Sequence, residues 1–206
     1  TVGAEKREYV SINDIPKNIT DAVLSTEDAR FQSHIGIDPI RLIKAALVNI
    51  RSNSAQQGAS TITQQVVKNS LLTSDKSLQR KIQEAYLSLK LENRFSKDDI
   101  LEMYMNKIYY SDGQYGVKTA AKYFYNKELN QLTLPQIALL TGMPQQPILY
   151  NPYDYPEQAK ERRNTVLYAL LNNDKITEDE YNNAINTPIM DGIVEKTKEE
   201  RANQHT

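Results

Sequence analysis

Glu27 is the first residue whose setting suggests chemistry. The spacing predicts a helix from about Asn18 to Ser33, on which Glu27 shares a face with Val23 and Phe31. A carboxyl group on an apolar stripe is costly to ionise, which raises its pKa toward values useful for proton transfer when a partner holds it. The same spacing fits a glutamate at the rim of the stripe, simply solvated. A second group runs from Lys76 to Glu84. Ser77 can cap a helix whose free N–H groups and positive dipole end lie close to Lys76, Arg80 and Lys81, which is the outline of a diphosphate site. The plainer reading is a solvated face, with Arg80 and Glu84 as an exposed ion pair worth about 0.3 kcal/mol. The third group is Gly58 to Gln65 with Lys68: Ser60 and Thr61 hydroxyls at a helix start, then Gln64 and Gln65, offer hydrogen bonds to a sugar or phosphate. An ordinary cap with a polar helix face is the alternative. The glycine and lysine spacing of a nucleotide-binding loop is absent.

Composition narrows the chemistry further. The 206 residues include no cysteine and only two histidines, His34 and His205, so thiol nucleophiles, disulfides, zinc–thiolate sites and most histidine-based catalysis are excluded and acid–base work falls to carboxylates. His34, beside Gly36, reads as a structural hydrogen-bonding group. The net charge of -1 is unevenly spread. Lys68 to Lys97 carries seven basic residues against three acidic, whereas Pro152 to Thr206 carries seven against eleven, so an anionic ligand would choose the middle of the chain. The longest apolar run, Val166 to Leu171, falls far short of the roughly 20 residues that span a bilayer. Thr1 to Tyr9 is polar and does not resemble a secretory signal.

The elements that must position these residues read as mainly α. Asp38 and Pro39 open a helix to about Arg51 with an apolar stripe at Ile40, Ile43, Ala46, Leu47 and Ile50. A second runs from Ser77 to about Arg94, with Leu78, Ile82, Ala85 and Leu89 as its apolar face. The pairs Ser96/Asp99, Thr133/Gln136 and Thr177/Glu180 each suggest a capping box starting a helix, and a further helix is expected from about Glu157 to Asn173. Ser52 to Ser60 reads as a mobile loop and Ser111-Asp112-Gly113 as a turn. Tyrosines at 109–110, 123–125 and 150–155 fit core positions with one wet end. Beyond Asp191 the sequence reads as a charged tail.

In their order along the chain, these pieces resemble a known family. Glu27, Asp28, Phe31, His34, Gly36 and Asp38 form one block; Gly58, Ser60, Thr61, Thr63, Gln64, Gln65 and Lys68 a second; Arg80, Lys81 and Glu84 a third; Ile100, Leu101, Glu102, Tyr104 and Asn106 a fourth. The set is similar to the peptidoglycan glycosyltransferases of family 51, found in class A penicillin-binding proteins and as monofunctional enzymes, and covers about Asp14 to Ile189. The resemblance implies a lysozyme-like, two-lobed helical domain over residues 1–190, with a mobile membrane-proximal small lobe at about 35–60. Residues 191–206 would be a tail opening a connector to a transpeptidase domain.

It also implies an activity: polymerisation of lipid II into β-1,4-linked glycan, with inversion and release of undecaprenyl pyrophosphate. Glu27 would be the general base and Glu84 the second catalytic glutamate. Lys68, Lys76, Arg80 and Lys81 would hold the diphosphate, with Asp28, Phe31, Ser60, Thr61, Gln64 and Gln65 lining the substrate. A divalent cation such as Mg2+ is an expected helper, with Asp28 and Glu84 as available ligands, although no dedicated metal pattern stands in the sequence. No organic cofactor and no nucleic acid are implied. The partners would be lipid II, the growing strand, the outer face of the bacterial cytoplasmic membrane and phosphoglycolipid inhibitors of the moenomycin type. Departures are small: Lys76 stands where arginine is common and Met105 where leucine is. The motif set of a penicillin-reactive domain is absent. The rival readings are a lysozyme-like glycan-cleaving enzyme, which would not need the cation cluster, and a non-catalytic module that binds lipid-linked precursor.

Overall fold

The computed structural model describes residues 8–52, 58–72 and 77–205. Its elements in chain order are α1 (Lys17–Glu27), α2 (Pro39–Ser52), α3 (Ile62–Leu71), α4 (Leu78–Arg94), α5 (Lys97–Lys107), a hairpin of β1 (Tyr109–Ser111) and β2 (Gln114–Tyr115), α6 (Val117–Tyr125), α7 (Leu134–Gly142), α8 (Pro156–Asn172), α9 (Glu178–Ile185) and α10 (Lys198–Ala202). The fold is mainly α, as the periodicity predicts. It divides into two compact units: Thr1–Thr26 with Met105–Thr206, and Glu27–Tyr104.

The first unit is built around α7, in which every residue from Gln136 to Gly142 is buried. Thr133 and Gln136 close its start as a capping box. Gly142 lies so close to α8 that an added Cβ would meet Arg162 Cγ at 2.7 Å, and Arg162 Nε donates to the Gly142 carbonyl at 3.0 Å. Val166, Leu167 and Leu170 of α8 and Ala120, Ala121 and Phe124 of α6 complete an apolar core. Tyr110, Tyr123 and Tyr125 are buried in this unit as the core reading expects, and burial pushes their phenols well above the usual range. The turn at Ser111 to Gly113 closes the hairpin, with Ser111, Asp112 and Gly113 all at positive φ.

The segment beyond Asp191 departs from the expected plain tail. A Thr197/Glu200 capping box starts α10, and Val194 N donates to the Phe124 carbonyl at 2.8 Å. Arg201 donates to Asp112 at 2.8 Å and to Asp154 at 2.6 Å, while Tyr123 and Asn151 also donate to Asp112. A charged composition conceals this because the acids that Arg201 needs lie 89 and 47 residues away.

Three further expectations are corrected at the end of α1 and in the second unit. Helix α1 stops at Glu27 instead of Ser33, and residues 29–34 form turns closed by Phe31 N to Asp28 O and Ser33 N to Arg30 O. The chain leaves the helix because the Asp28 carboxylate is drawn to the start of α3, so Phe31 is buried without sharing a helical stripe with Glu27. Helix α4 is inverted relative to its apolar pattern. Arg80 (7% exposed), Glu84 (2%) and Ser88 are buried, whereas Leu78 (77%) and Ile82 (63%) are in solvent. The solvated-face reading of Arg80 and Glu84 therefore fails, because that polar face is the one covered. On α2 the expected Asp38 cap forms, accepting from Ile40 N and Arg41 N. Its stripe at Ile40, Ile43 and Leu47 is exposed, which sets aside the core reading of those residues. Most of the expected 52–60 loop, residues 53–57, lies outside the described residues.

Candidate active site

The first two sequence blocks are joined by direct hydrogen bonds inside the second unit. Asp28 is fully buried, and its Oδ2 accepts from Ile62 N at 2.9 Å, the first turn of α3. An acid on that helix start satisfies an orphan donor and complements the positive dipole end. Arg41 lies behind the same junction, donating to the carbonyls of Glu27 and Ser60. Glu27, the last residue of α1, is half-buried beside it.

Thr61 caps α3. Its hydroxyl accepts from Gln64 N at 3.1 Å and donates to the Gly36 carbonyl at 2.6 Å, while Gln64 Oε1 accepts from Thr61 N. The Thr61 hydroxyl and the Gln64 carbonyl oxygen are thus committed to the protein, and the ordinary-cap reading describes them. Gly36 lets this loop lie on α4: its φ of +115° is a left-handed value, and an added Cβ would stand 2.7 Å from the Ser88 carbonyl oxygen. Gln65 is half-buried and Lys68 exposed on α3.

Helix α4 packs against α3 and carries the third block. Ser77 caps it as expected, accepting from Arg80 N. Lys81 Nζ stands 3.5 Å from Glu84 Oε1. The Arg80 guanidinium is the least settled group of the site, because its Nε and Nη1 are buried with no hydrogen-bond partner among the described residues. Burying a charged donor unpaired costs several kcal/mol, so such a group is a standing receptor for an anion. Asp28 Oδ1 is likewise buried without a partner among the described residues. Lys76, the remaining expected cation, lies outside the described residues. Among the described residues no group of three carboxylate or imidazole ligands could hold a metal ion. Asp28 Oδ2 is taken by Ile62 and His34 while its Oδ1 is not, so Asp28 and Glu84 both stay available as ligands.

Sequence reasoning missed Arg41, Glu92 and Lys97 as site residues, and it gave no role to Thr63. Thr63 Oγ1 donates to Glu92 at 2.8 Å, and Lys97 Nζ donates to Glu92 and to the His34 carbonyl, both at 2.7 Å. These contacts link positions up to 63 residues apart, so no local pattern could announce them. His34 is the structural hydrogen-bonding group expected, its Nε2 2.7 Å from Asp28 Oδ2.

Comparison with known proteins places this arrangement. A family model for transglycosylases matches residues 1–171. Penicillin-binding protein 1A of Streptococcus oralis is 49% identical over 195 residues, covering 93% of this chain and 31% of that protein. Penicillin-binding protein 1A/1B of Bacillus subtilis is 48% identical over 203 residues, covering 98% and 22%. The crystal structure of penicillin-binding protein 1A from Haemophilus influenzae superposes with a TM-score of 0.55 at 26% identity, covering 91% of this chain and 18% of that one. The chain thus spans less than a third of the length of the relatives it matches.

Proposed function

Because this chain belongs to the transglycosylase family, the peptidoglycan glycosyltransferases, we propose that it joins lipid II units into β-1,4-linked glycan with Glu27 as the general base. In this reaction Glu27 accepts the proton of the acceptor 4-hydroxyl as that oxygen attacks the anomeric carbon of the donor. The bond from that carbon to the diphosphate oxygen breaks on the opposite face, and the configuration inverts. Undecaprenyl pyrophosphate leaves with the electron pair. The observation that carries the reading is the buried Arg80 guanidinium, whose Nε and Nη1 have no partner among the described residues, on the helix that bears Lys81 and Glu84. Donors fixed in advance where negative charge develops are the largest usual source of catalysis, and a cutter of neutral glycan has no use for them.

Lys68 and Lys76 would extend this cradle. Ser60, Gln65 and the remaining amide donors of Gln64 would meet the sugars, with Asp28 and Phe31 shaping the wall behind Glu27. A divalent cation would be held by Glu84 together with the substrate's own phosphates, the usual arrangement for magnesium. A phosphoglycolipid of the moenomycin type would compete for the same cradle. Among the described residues no helix is long and apolar enough to cross a membrane. The exposed Ile40, Ile43 and Leu47 of α2, beside Lys44, and Leu78, Ile82 and Tyr86 of α4, beside Lys81 and Lys90, suit contact with an anionic lipid surface. That location fits a substrate anchored in the outer face of the cytoplasmic membrane.

The test is a gel of labelled lipid II with wild type and Glu27→Gln. Polymer and free undecaprenyl pyrophosphate are expected from the wild type, with a loss of about 10²–10⁴-fold in the variant at unchanged folding. Shortening of finished glycan without polymer would favour the cleaving reading, and an unaffected Glu27→Gln the non-catalytic one.

A further inference from the structure

One buried polar cluster in the second unit remains outside this mechanism. Gly36 N donates to His34 Nδ1 at 3.0 Å, so the imidazole proton stands on Nε2 and is donated to Asp28 Oδ2 at 2.7 Å. The ring is shut away from water and cannot act on substrate. Behind it stands Lys97, at the first position of α5, which donates to the His34 carbonyl and to Glu92 and lies 4.6 Å from the centre of the Phe31 ring. Glu92 in turn accepts from Thr63 on α3. One ammonium group therefore ties α4, α5, the first turn of α3 and the loop after Glu27.

We propose that Lys97 is a positioning residue of the transfer site: it holds His34, and through His34 it fixes Asp28, the neighbour of Glu27 and the anchor of α3. The inference rests on Glu27 being the base. An ammonium suits this place because three tetrahedral donors can reach a carbonyl, a carboxylate and a ring face at once, each in a different direction. Misplacing a catalytic group by about 1 Å can cost 10²-fold in rate, so a residue that never touches substrate can still govern turnover.

The experiment measures kcat and KM on lipid II for Lys97→Met, Lys97→Arg, His34→Gln and the Lys97→Met/His34→Gln double variant, with Glu27→Gln alongside. Lys97→Met is expected to lower kcat about tenfold or more with KM within about twofold, and Lys97→Arg to recover most of it. The double variant is expected to be no worse than the poorer single one, because both act along one path. An unchanged kcat, a rise in KM alone, losses that multiply, or a loss that follows the melting temperature would each overturn the proposal. If Glu27→Gln polymerises normally, the assignment of the base fails first; if it is inactive while Lys97→Met is not, only the positioning role fails. Nitrogen-15 histidine labelling of the wild type gives a check that needs no variant, since the sequence has only two histidines. A proton on His34 Nδ1 instead of Nε2 would sink the relay.

Discussion

Helix α7 keeps Ile137, Ala138, Leu139 and Leu140 out of water, whereas α4 keeps Arg80, Glu84 and Ser88 out and leaves Leu78, Ile82 and Tyr86 outside. The first arrangement is what the hydrophobic effect alone would select. The second opposes it at both faces of one helix, and it occurs where the proposed chemistry is. Sites depart from the packing rule because a transition state needs charge held ready in a dry place, at a cost in folding energy that the rest of the chain must offset. The two units thus differ in what their central helices bury: α7 buries apolar side chains, and α4 buries charged and polar ones.

If that contrast holds, the largest stability change belongs to the apolar unit. Leu167→Ala empties a fully buried position of α8 and is expected to cost about 2–5 kcal/mol in chemical denaturation. A loss below about 1 kcal/mol would mean that the α7 and α8 core is not where the stability lies. Next comes the polar clasp of the same unit. Arg201→Ala leaves the buried Asp112 to Tyr123 and Asn151 alone and is expected to cost about 1–3 kcal/mol. This effect depends on pH in a defined direction. The hydrogen bond from Arg201 holds the Asp154 carboxyl below the usual carboxylate range. A depressed folded-state pKa contributes stability that is present above the unfolded value and is lost as pH falls through the folded one. The gap between wild type and Arg201→Ala should therefore narrow below about pH 4. A gap that stayed constant between pH 7 and pH 3 would remove the ion pair from the explanation.

Local signals made much of this fold legible. The boxes at Ser96, Thr133 and Thr177, the Asp38 cap and the Ser77 cap are all present, because a cap is decided by residues within three positions of one another. Helix α6 and the Thr197 box went unread, the latter because charged residues around it masked a motif of the same kind. The site was half legible. Spacing alone gives Glu27 an apolar helical stripe that the turn at Asp28 breaks, and it puts Arg80 and Glu84 in solvent, where the structure buries both. Arg41 and Lys97 had no local signature, since what makes them matter is a carbonyl or carboxylate brought from a distant element. Periodicity reports which face a helix would bury in an apolar core, and the buried face of α4 instead carries Arg80, Glu84 and Ser88.

The smallest stability change should come from the residue that matters most to binding. Replacing a fully engaged buried arginine would leave its partners stranded, but Arg80 Nε and Nη1 have no partners among the described residues to strand. Arg80→Met keeps the length of the side chain, fills the same space and removes a desolvated charge, and exchanges of this sort are often neutral or stabilising. The melting curve is expected to move up slightly or not at all, with the change in unfolding free energy within about 1 kcal/mol. Release of undecaprenyl pyrophosphate from lipid II should nevertheless fall by about 10²–10³-fold, the usual effect of removing one preorganised donor. The pairing of the two results is what discriminates. A destabilised and inactive variant would make Arg80 a structural arginine and return α4 to the same logic as α7, while a stable and active one would take the diphosphate away from this helix.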